Sequence, residues 1–276
     1  MTQINLTCVK LRAGNPSSAA EGAAVPPSVL VDHSEGVATI AFNRPESLNA
    51  LTGETFLALR DAVAEAAGSA RAIVLTGSDR AFSSGADLQS GTDDVSLDLD
   101  DANAIIRSLI DVSVPTIAAV SGPAAGIGCS LALACDYVIM SEESYLMLAF
   151  AKIGLMPDGG ATALVAASAG RHRAMKMALT AQKVWAPEAL DWGLASEVVP
   201  ASTQLRRAEE LAGQWAQGAP LAFSRSKAAI NQASLTALDD AFARESADQT
   251  YLRGTRDFAE GVSAFIEKRT PRFVGE

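Results

Sequence analysis

The sequence predicts an α/β fold, in which strands and helices alternate at first and mainly helices follow. Short buried apolar runs lie between amphipathic stretches, which is the pattern of buried strands separated by helices. From Asp158 onward, helical patterns dominate to about residue 269. The 276 residues suffice for a substantial core. With no long Pro/Gly linker, we expect the later helices to pack on the same unit or on a neighbouring subunit.

A β-hairpin is predicted to open the folded part. Residues 1–27 are rich in Ser, Ala, Gly and Pro and carry no signal-peptide pattern, so we expect a mobile tail. Residues 28–42 alternate apolar and polar side chains on both sides of Gly36. This alternation predicts two strands joined by a tight turn that uses Gly36.

Helix and strand then alternate. Thr52 is suited to cap a helix that runs to about Ala67, and "RAIVLTG", "TIAAVSG" and "YVIMS" predict short strands. The apolar face of this helix is predicted to carry Phe56, Leu59, Val63 and Ala67. The acidic segment "SGTDDVSLDLDDAN" has no apolar period and predicts a mobile loop, with a helix resuming near Asn103.

Composition excludes several classes of function. The net charge of −10 and the lack of a long basic stripe argue against nucleic-acid binding. Apolar runs are too short to cross a membrane. The three cysteines show no paired spacing and there are only two histidines, so neither a metal site nor a disulfide framework is expected. We expect a cytoplasmic protein.

The first candidate motif is "AFSSGADL", Ala81–Leu88, which follows a predicted strand and turns at Gly85. Backbone N–H groups at such a turn can face a ligand. The alternative is an ordinary strand-to-helix turn in which Asp87 caps the following segment.

The second motif is "VSGPAAGIGCSLALACD", in which small residues precede a predicted helix. The free N–H groups at the start of such a helix suit an anion or a developing oxyanion. The glycine spacing fits neither a dinucleotide-binding motif nor a P-loop. Close packing of the helix on a sheet is the alternative explanation for the glycines.

Six segments in order resemble the crotonase family, also called the enoyl-CoA hydratase/isomerase family. They are "NRPESLNALT", "FSSGADL", "GPAAGIGCSLALACD", "KIGLMPDGGATALV", "ALTAQKVWAPEALDWGLASEVV" and "FIEKRTPRF". The resemblance implies a ββα spiral core over residues 28–200 and a C-terminal helical trimerisation region over 201–276. It also implies an acyl-CoA thioester substrate, no separate cofactor, and a homotrimer or dimer of trimers.

The resemblance also implies site residues. The backbone N–H groups of Ala86 and Ile127 would form an oxyanion hole, where the family usually has glycine in place of Ile127. Lys268 would meet the phosphates of coenzyme A, although a solvated basic end is an alternative reading. The other implied substrate-binding residues are Ser84, Gly85, Asp87, Leu88, Gly126, Gly128, Ser130 and Phe150.

Two positions separate this chain from the hydratases that it resembles. Those enzymes carry one glutamate after the Gly-rich turn and a second one further on, where this chain has Ser130 and Phe150. Hydration needs one group to activate water and another to manage the α-proton. The loss of both carboxylates argues against ordinary hydration.

Asp158, in "PDGG", occupies the position of the acid in the Δ3,Δ2-enoyl-CoA isomerases and the ring-epoxide isomerases of the family. One carboxylate suffices for a 1,3-proton shift, and the nearby apolar residues would raise its pKa. The alternative is that Asp158 only caps the following helix, since Asp is a common N-cap residue.

Three functional hypotheses follow. The first is an enoyl-CoA isomerase, of the Δ3,Δ2 or ring-epoxide type, that uses Asp158 as its acid–base group. The second is an acyl-CoA protein with altered residues, either hydratase-like or non-catalytic. The third is a serine peptidase on the same spiral core, for which only His33 and His172 are available as the triad histidine.

Overall fold

The computed structural model describes residues 26–88 and 99–276. The predicted mobile tail, except Pro26 and Pro27, and most of the predicted acidic loop lie outside the described residues, so both stay predictions. The helix predicted near Asn103 begins earlier, at Leu99. Leu99 and Ala102 are both buried, so its apolar face extends back into the acidic stretch.

The described part of the chain alternates strands and helices in the predicted manner. Its strands are β1 (Val29–Ser34), β2 (Val37–Phe42), β3 (Ala72–Thr76), β4 (Thr116–Val120), β5 (Pro123–Ala125), β6 (Tyr137–Ser141), β7 (Tyr145–Met147), β8 (Val184–Trp185) and β9 (Glu197–Val199). Its helices are α1 (Gly53–Ser69), α2 (Leu99–Asp111), α3 (Ile127–Ala134), α4 (Ala161–Ala169), α5 (Arg171–Thr180), α6 (Ala186–Trp192), α7 (Gln204–Ala216), α8 (Pro220–Ser234), α9 (Leu238–Arg253) and α10 (Arg256–Ile266). A 3₁₀ turn spans Ala149–Ile153.

The predicted hairpin and first helix are confirmed. β1 and β2 pair antiparallel, and Glu35 and Gly36 both have positive φ, as a type I′ two-residue hairpin turn requires. Thr52 caps α1 by accepting a hydrogen bond from the backbone N–H of Thr55. The predicted face was wrong in one place, because the helix buries Ala66 and exposes Ala67.

A repeated ββα path builds two sheets. The larger sheet has the order β1-β2-β3-β4-β6-β9 and is parallel after the hairpin, while the smaller has the order β5-β7-β8. Parallel bridges from Leu51 to Ala86 and from Ser83 to Ala124 continue the smaller sheet toward earlier turns of the chain. Each turn therefore adds backbone to both sheets before its helix, and the predicted spiral α/β fold is confirmed.

Four short strands were not predicted. The strands β5, β7, β8 and β9 have two or three residues each. So few residues cannot display a period-two pattern, and backbone pairing to neighbouring turns holds them instead. Two of them, β8 and β9, lie in the region where helical patterns were predicted to dominate.

The C-terminal helices cover the core and the candidate site. On one face of the larger sheet, buried alanines of α7 pack against β3 and β4. On the other side, α9 packs on α4 and α2, and α10 packs on the 3₁₀ turn. These helices thus belong to the packing of the same chain. Within the described residues, no helix has the length and apolar character that a membrane span needs.

Candidate active site

A cavity of about 490 Å³ brings together most of the residues predicted to form the site. The predicted residues that line it are Ser84, Gly85, Ala86, Asp87, Leu88, Gly126, Ile127, Phe150 and Asp158. Gly128, Ser130 and Lys268 do not line it. Unpredicted lining residues include Tyr145, Lys152, Arg253 and Phe265.

The turn after β3 presents one free backbone donor. Gly85 has φ +96°, and its N–H donates to Ser83 Oγ at 3.1 Å. Asp87 N–H donates to Leu51 O at 3.0 Å. Among the hydrogen bonds of the described residues, none is donated by the N–H of Ala86, which lies between these two.

The second turn, at the start of α3, also presents backbone N–H groups that have no acceptor in the described part of the chain. Gly126 has φ +54°, and its N–H donates to Met147 O at 2.9 Å. Ile127 and Gly128 begin the helix, where backbone N–H groups have no intrahelical acceptor. Neither of these two N–H groups donates a hydrogen bond to any described residue.

Glycine is required where the two turns touch. A Cβ atom on Gly85 would lie 2.9 Å from Ala125 O and 3.6 Å from Gly126 Cα. The turns therefore pack backbone against backbone, with the free N–H groups of Ala86 and Ile127 each following a glycine. Two backbone donors on adjoining turns can bind an oxygen that carries developing negative charge.

Gly128 has a packing role at the start of α3 and does not line the cavity. A Cβ atom at this position would lie 2.8 Å from Ser83 Cβ. The missing side chain lets α3 approach the first turn closely. Close helix packing, the alternative considered for this motif, thus accounts for Gly128, and contact of Gly128 with substrate stays a prediction.

Asp158 does not cap α4. The N-cap residue of α4 is Gly160, and its first N–H groups are satisfied by Glu245 of α9. Gly160 N donates to Glu245 Oε2 at 2.6 Å and Thr162 N donates to Glu245 Oε1 at 3.0 Å. The side chain of Asp158 is thereby left for another role.

The carboxylate of Asp158 is buried and only partly hydrogen-bonded. The residue is 5% exposed, and Oδ2 accepts a hydrogen bond of 2.8 Å from Gln249 Nε2. Oδ1 is buried and has no hydrogen-bond partner among the described residues. Burial raises the pKa of Asp158 to about 6, against the lowering effect of the Gln249 hydrogen bond.

The two glycines after Asp158 let helices approach from both sides. A Cβ atom on Gly159 would clash with Ile127 Cδ1, and one on Gly160 would lie 2.8 Å from Leu238 Cδ1. The "PDGG" turn is thus held between α3 and α9, with Gly159 against Ile127, the residue that carries the second free N–H.

Neither Ser130 nor Phe150 presents a polar side-chain group to the cavity. Ser130 is fully buried and its Oγ donates to the backbone oxygen of Asp158 at 2.8 Å. It therefore fixes the Asp158 turn and does not contact the cavity. Phe150 does line the cavity, and its ring lies 3.9 Å from where a Cβ on Gly126 would be.

Asp87 lines the cavity but is held by an ion pair. Its Oδ2 lies 2.9 Å from Arg44 NH1, which also donates to Ala50 O. This contact joins the first turn to the segment before α1. It gives Arg44 a structural role.

The basic end of the chain does not reach the cavity. Lys268 is exposed and lies beyond α10. Its neighbour Arg269 forms two hydrogen bonds with Glu260 of α10, at 2.6 and 2.8 Å. Contact of Lys268 with the phosphates of a coenzyme A stays a prediction.

Residues on α9 were missed because they are remote in sequence. Glu245, Gln249 and Arg253 follow one another at intervals of four, so they share one face of the helix. That spacing of polar residues was the available signal, but nothing in the sequence links it to Asp158. Across residues 26–88 and 99–276, no group of three or more His, Cys, Asp or Glu side chains is arranged to hold a metal ion.

Comparisons with known proteins agree with the fold and the motifs. The family model described as enoyl-CoA hydratase/isomerase matches residues 32–276. A probable enoyl-CoA hydratase of Rhodobacter capsulatus is 42% identical over 90% of this chain and 98% of its own. The 1,2-epoxyphenylacetyl-CoA isomerase of Escherichia coli is 36% identical, with the same two coverages of 90% and 98%.

A solved structure gives the same assignment. The enoyl-CoA hydratase from Mycobacterium avium subsp. paratuberculosis has a TM-score of 0.83 and 44% identity, covering 90% of this chain and 98% of its own. The model match spans most of the chain, and the relatives are covered almost completely. The chain therefore belongs to the enoyl-CoA hydratase/isomerase family, the crotonase family of acyl-CoA-processing enzymes.

Proposed function

We propose that the chain is an enoyl-CoA isomerase, of the Δ3,Δ2 or ring-epoxide type, in which Asp158 is the acid–base group. The observation that carries the proposal is the state of the Asp158 carboxylate. It lies at the cavity, it is buried, and within the described residues it has one oxygen without a partner and no salt bridge.

The surroundings of the cavity acids single out Asp158. Among the described lining residues the other acids are Glu46 and Asp87. Glu46 is exposed to solvent, and Asp87 Oδ2 is engaged by Arg44. The pKa of Asp158, raised to about 6, suits a group that must both accept and return a proton near neutral pH.

The proposed reaction moves one proton and one double bond. The Asp158 carboxylate takes a proton from C2 of a 3-enoyl thioester and becomes a carboxylic acid. The resulting dienolate carries negative charge on the thioester oxygen, which the N–H groups of Ala86 and Ile127 bind. Loss of one such hydrogen bond typically costs about 3 kcal/mol in the transition state. Asp158 then returns the proton to C4, and the double bond lies between C2 and C3.

The relatives' names favour two different reactions. The Rhodobacter relative is named as a probable hydratase, while the Escherichia coli relative is named as an isomerase of an epoxide thioester. Hydration by this chain would need a second group to activate water. The positions of the two hydratase glutamates hold Ser130, which is buried against the Asp158 turn, and the apolar Phe150. This difference supports isomerisation over hydration.

The test is product analysis with a 3-enoyl-CoA and, separately, a 2-enoyl-CoA. We expect the wild type to convert the 3-enoyl to the 2-enoyl thioester and to add no water to it. Asp158→Asn should lower kcat by about 10²–10⁴-fold, the usual contribution of acid–base catalysis. Asp61→Asn, the same change at an exposed position of α1, is the matched control and should leave kcat unchanged.

Three results would contradict the proposal, each in its own way. Full activity in Asp158→Asn would remove Asp158 from the mechanism. Efficient formation of a 3-hydroxyacyl-CoA would identify a hydratase with altered residues. Saturable binding of acyl-CoA thioesters without turnover of any would identify a non-catalytic binding protein.

A further inference from the structure

One face of α9 supports the Asp158 turn through two buried polar side chains. Glu245 is 1% exposed and Gln249 is fully buried. A buried polar group is costly unless it is hydrogen-bonded, and both of these side chains bond to the segment between Met156 and Thr162. The helix thus contributes specific contacts to the candidate site as well as apolar packing.

The hydrogen-bond partners of Gln249 define the orientation of its amide. Met156 N–H can only donate, and it points to Gln249 Oε1 at 3.4 Å. The NH₂ group of Gln249 therefore faces Asp158 Oδ2, at 2.8 Å. Gln249 bridges two points of the turn, and it offers Asp158 a hydrogen-bond donor and no acceptor.

Glu245 removes the competing role for Asp158. By accepting from the N–H groups of Gly160 and Thr162, it takes the position of the helix cap. The carboxylate of Asp158 consequently bonds to Gln249 through Oδ2 and to no described residue through Oδ1.

We propose that Gln249 is a positioning residue for the acid–base step, which holds Oδ2 of Asp158 and makes Oδ1 the oxygen that exchanges the proton with the substrate. The inference rests on the proposed function. The hydrogen bond from Gln249 suits both states of Asp158, because Oδ2 accepts it as part of the carboxylate and as the carbonyl oxygen of the acid. The amide need not move while the proton is carried between C2 and C4.

The charges that face Asp158 set the expected pH dependence. After burial, which raises its pKa, the contributions come from α9: Gln249 lowers it, Glu245 raises it and Arg253 lowers it. The α3 side supplies the uncharged Ile127 and Ser130. Removal of the Gln249 donor should therefore raise the pKa of Asp158, because a carboxylate loses more from a missing donor than the neutral acid does.

The test compares Gln249→Leu with Gln204→Leu. Gln204 is also a buried glutamine, 2% exposed, but it begins α7 and does not line the cavity. In Gln249→Leu the acidic limb of kcat/KM should move up by about one pH unit. This shift gives about a tenfold loss near pH 5 and almost none above about pH 8, with KM little changed. Gln204→Leu should keep the wild-type limb.

A second variant keeps the size of the side chain. Gln249→Glu retains an oxygen for Met156 N–H and places a carboxyl group beside Asp158, so it should also move the limb upward. A ¹³C NMR titration of carboxyl-labelled, ligand-free protein, with the Asp158 signal assigned by its absence in Asp158→Asn, reads the same shift without turnover.

The outcomes separate this inference from the proposed function. A wild type that does not isomerise, or an active Asp158→Asn, contradicts the proposed function. If those two results are as expected, two outcomes overturn the positioning role alone. One is that the acidic limb of kcat/KM stays at its wild-type pH in both Gln249 variants; the other is that kcat/KM falls by the same factor at every pH. An upward shift in both variants, with rescue at high pH, supports it.

Discussion

At the scale of single residues, the proposed mechanism depends on one acid, Asp158, which is buried at a cost in stability. The pKa of Asp158 is raised to about 6, chiefly by burial. A raised carboxyl pKa means that the folded protein binds this proton more tightly than the unfolded chain does. The protonated form of Asp158 therefore stabilises the folded protein. This stabilisation is complete below the unfolded pKa near 4 and is lost as pH rises through about 6.

Asp158→Asn should accordingly stabilise the protein at neutral pH while lowering its activity. The amide carries no charge, so the variant avoids the burial cost of the carboxylate. We expect a gain of up to about 3 kcal/mol in the free energy of unfolding at pH 7, which disappears near pH 4. Thermal or denaturant unfolding at both pH values measures it. A variant less stable than the wild type at pH 7 would contradict the burial argument.

At the scale of elements, the candidate site is where four segments meet. The turn after β3 and the start of α3 bring the two free N–H groups, the "PDGG" turn brings Asp158, and α9 brings the side chains that hold this turn. The glycines of these segments act by close approach, as Gly85 does against Ala125 O and Gly128 against Ser83. The donors and the acid therefore depend on packing between elements.

Glu245 links the stability of α4 to the acidity of Asp158. Glu245→Ala removes the acceptor for two N–H groups at the start of α4 and should lower the free energy of unfolding by about 1–3 kcal/mol. It also removes a negative charge that raises the pKa of Asp158, so the acidic limb of kcat/KM should move to lower pH.

The shift of the acidic limb expected for Glu245→Ala is opposite in sign to the one expected for Gln249→Leu. The two variants therefore test the same electrostatic assignment in opposite directions. Glu54→Ala, at an exposed first-turn position of α1, is the matched control and should change neither quantity appreciably. An upward shift of the limb in Glu245→Ala would mean that the electrostatic assignment is wrong.

At the scale of the whole molecule, short-range sequence patterns predicted the fold. They did not predict the contacts by which α9 holds the Asp158 turn. The hairpin at Gly36, the cap at Thr52 and the glycine turns are local features, and the structure has all of them. The hydrogen bond between Asp158 and Gln249 joins residues 91 positions apart in the chain, so no local sequence pattern predicts it. Ser130 was expected at the substrate because its motif position suggested it, whereas its burial against the Asp158 turn is a property of packing.

The oligomeric state stays a prediction. The resemblance to the family implies a homotrimer or a dimer of trimers, with the C-terminal helices at the subunit contacts. Several large apolar side chains of these helices are exposed in the single chain, among them Leu221, Ile230 and Tyr251. Such side chains suit a subunit contact.

The most direct test of the account is a crystal structure of Asp158→Asn with a 3-enoyl-CoA bound. We predict that the thioester oxygen lies about 3 Å from the backbone nitrogens of both Ala86 and Ile127. Oδ1 or Nδ2 of residue 158 should lie within about 4 Å of both C2 and C4, so that one group can serve both carbons. A thioester oxygen bound elsewhere, or a residue 158 that reaches neither carbon, would contradict the central claim.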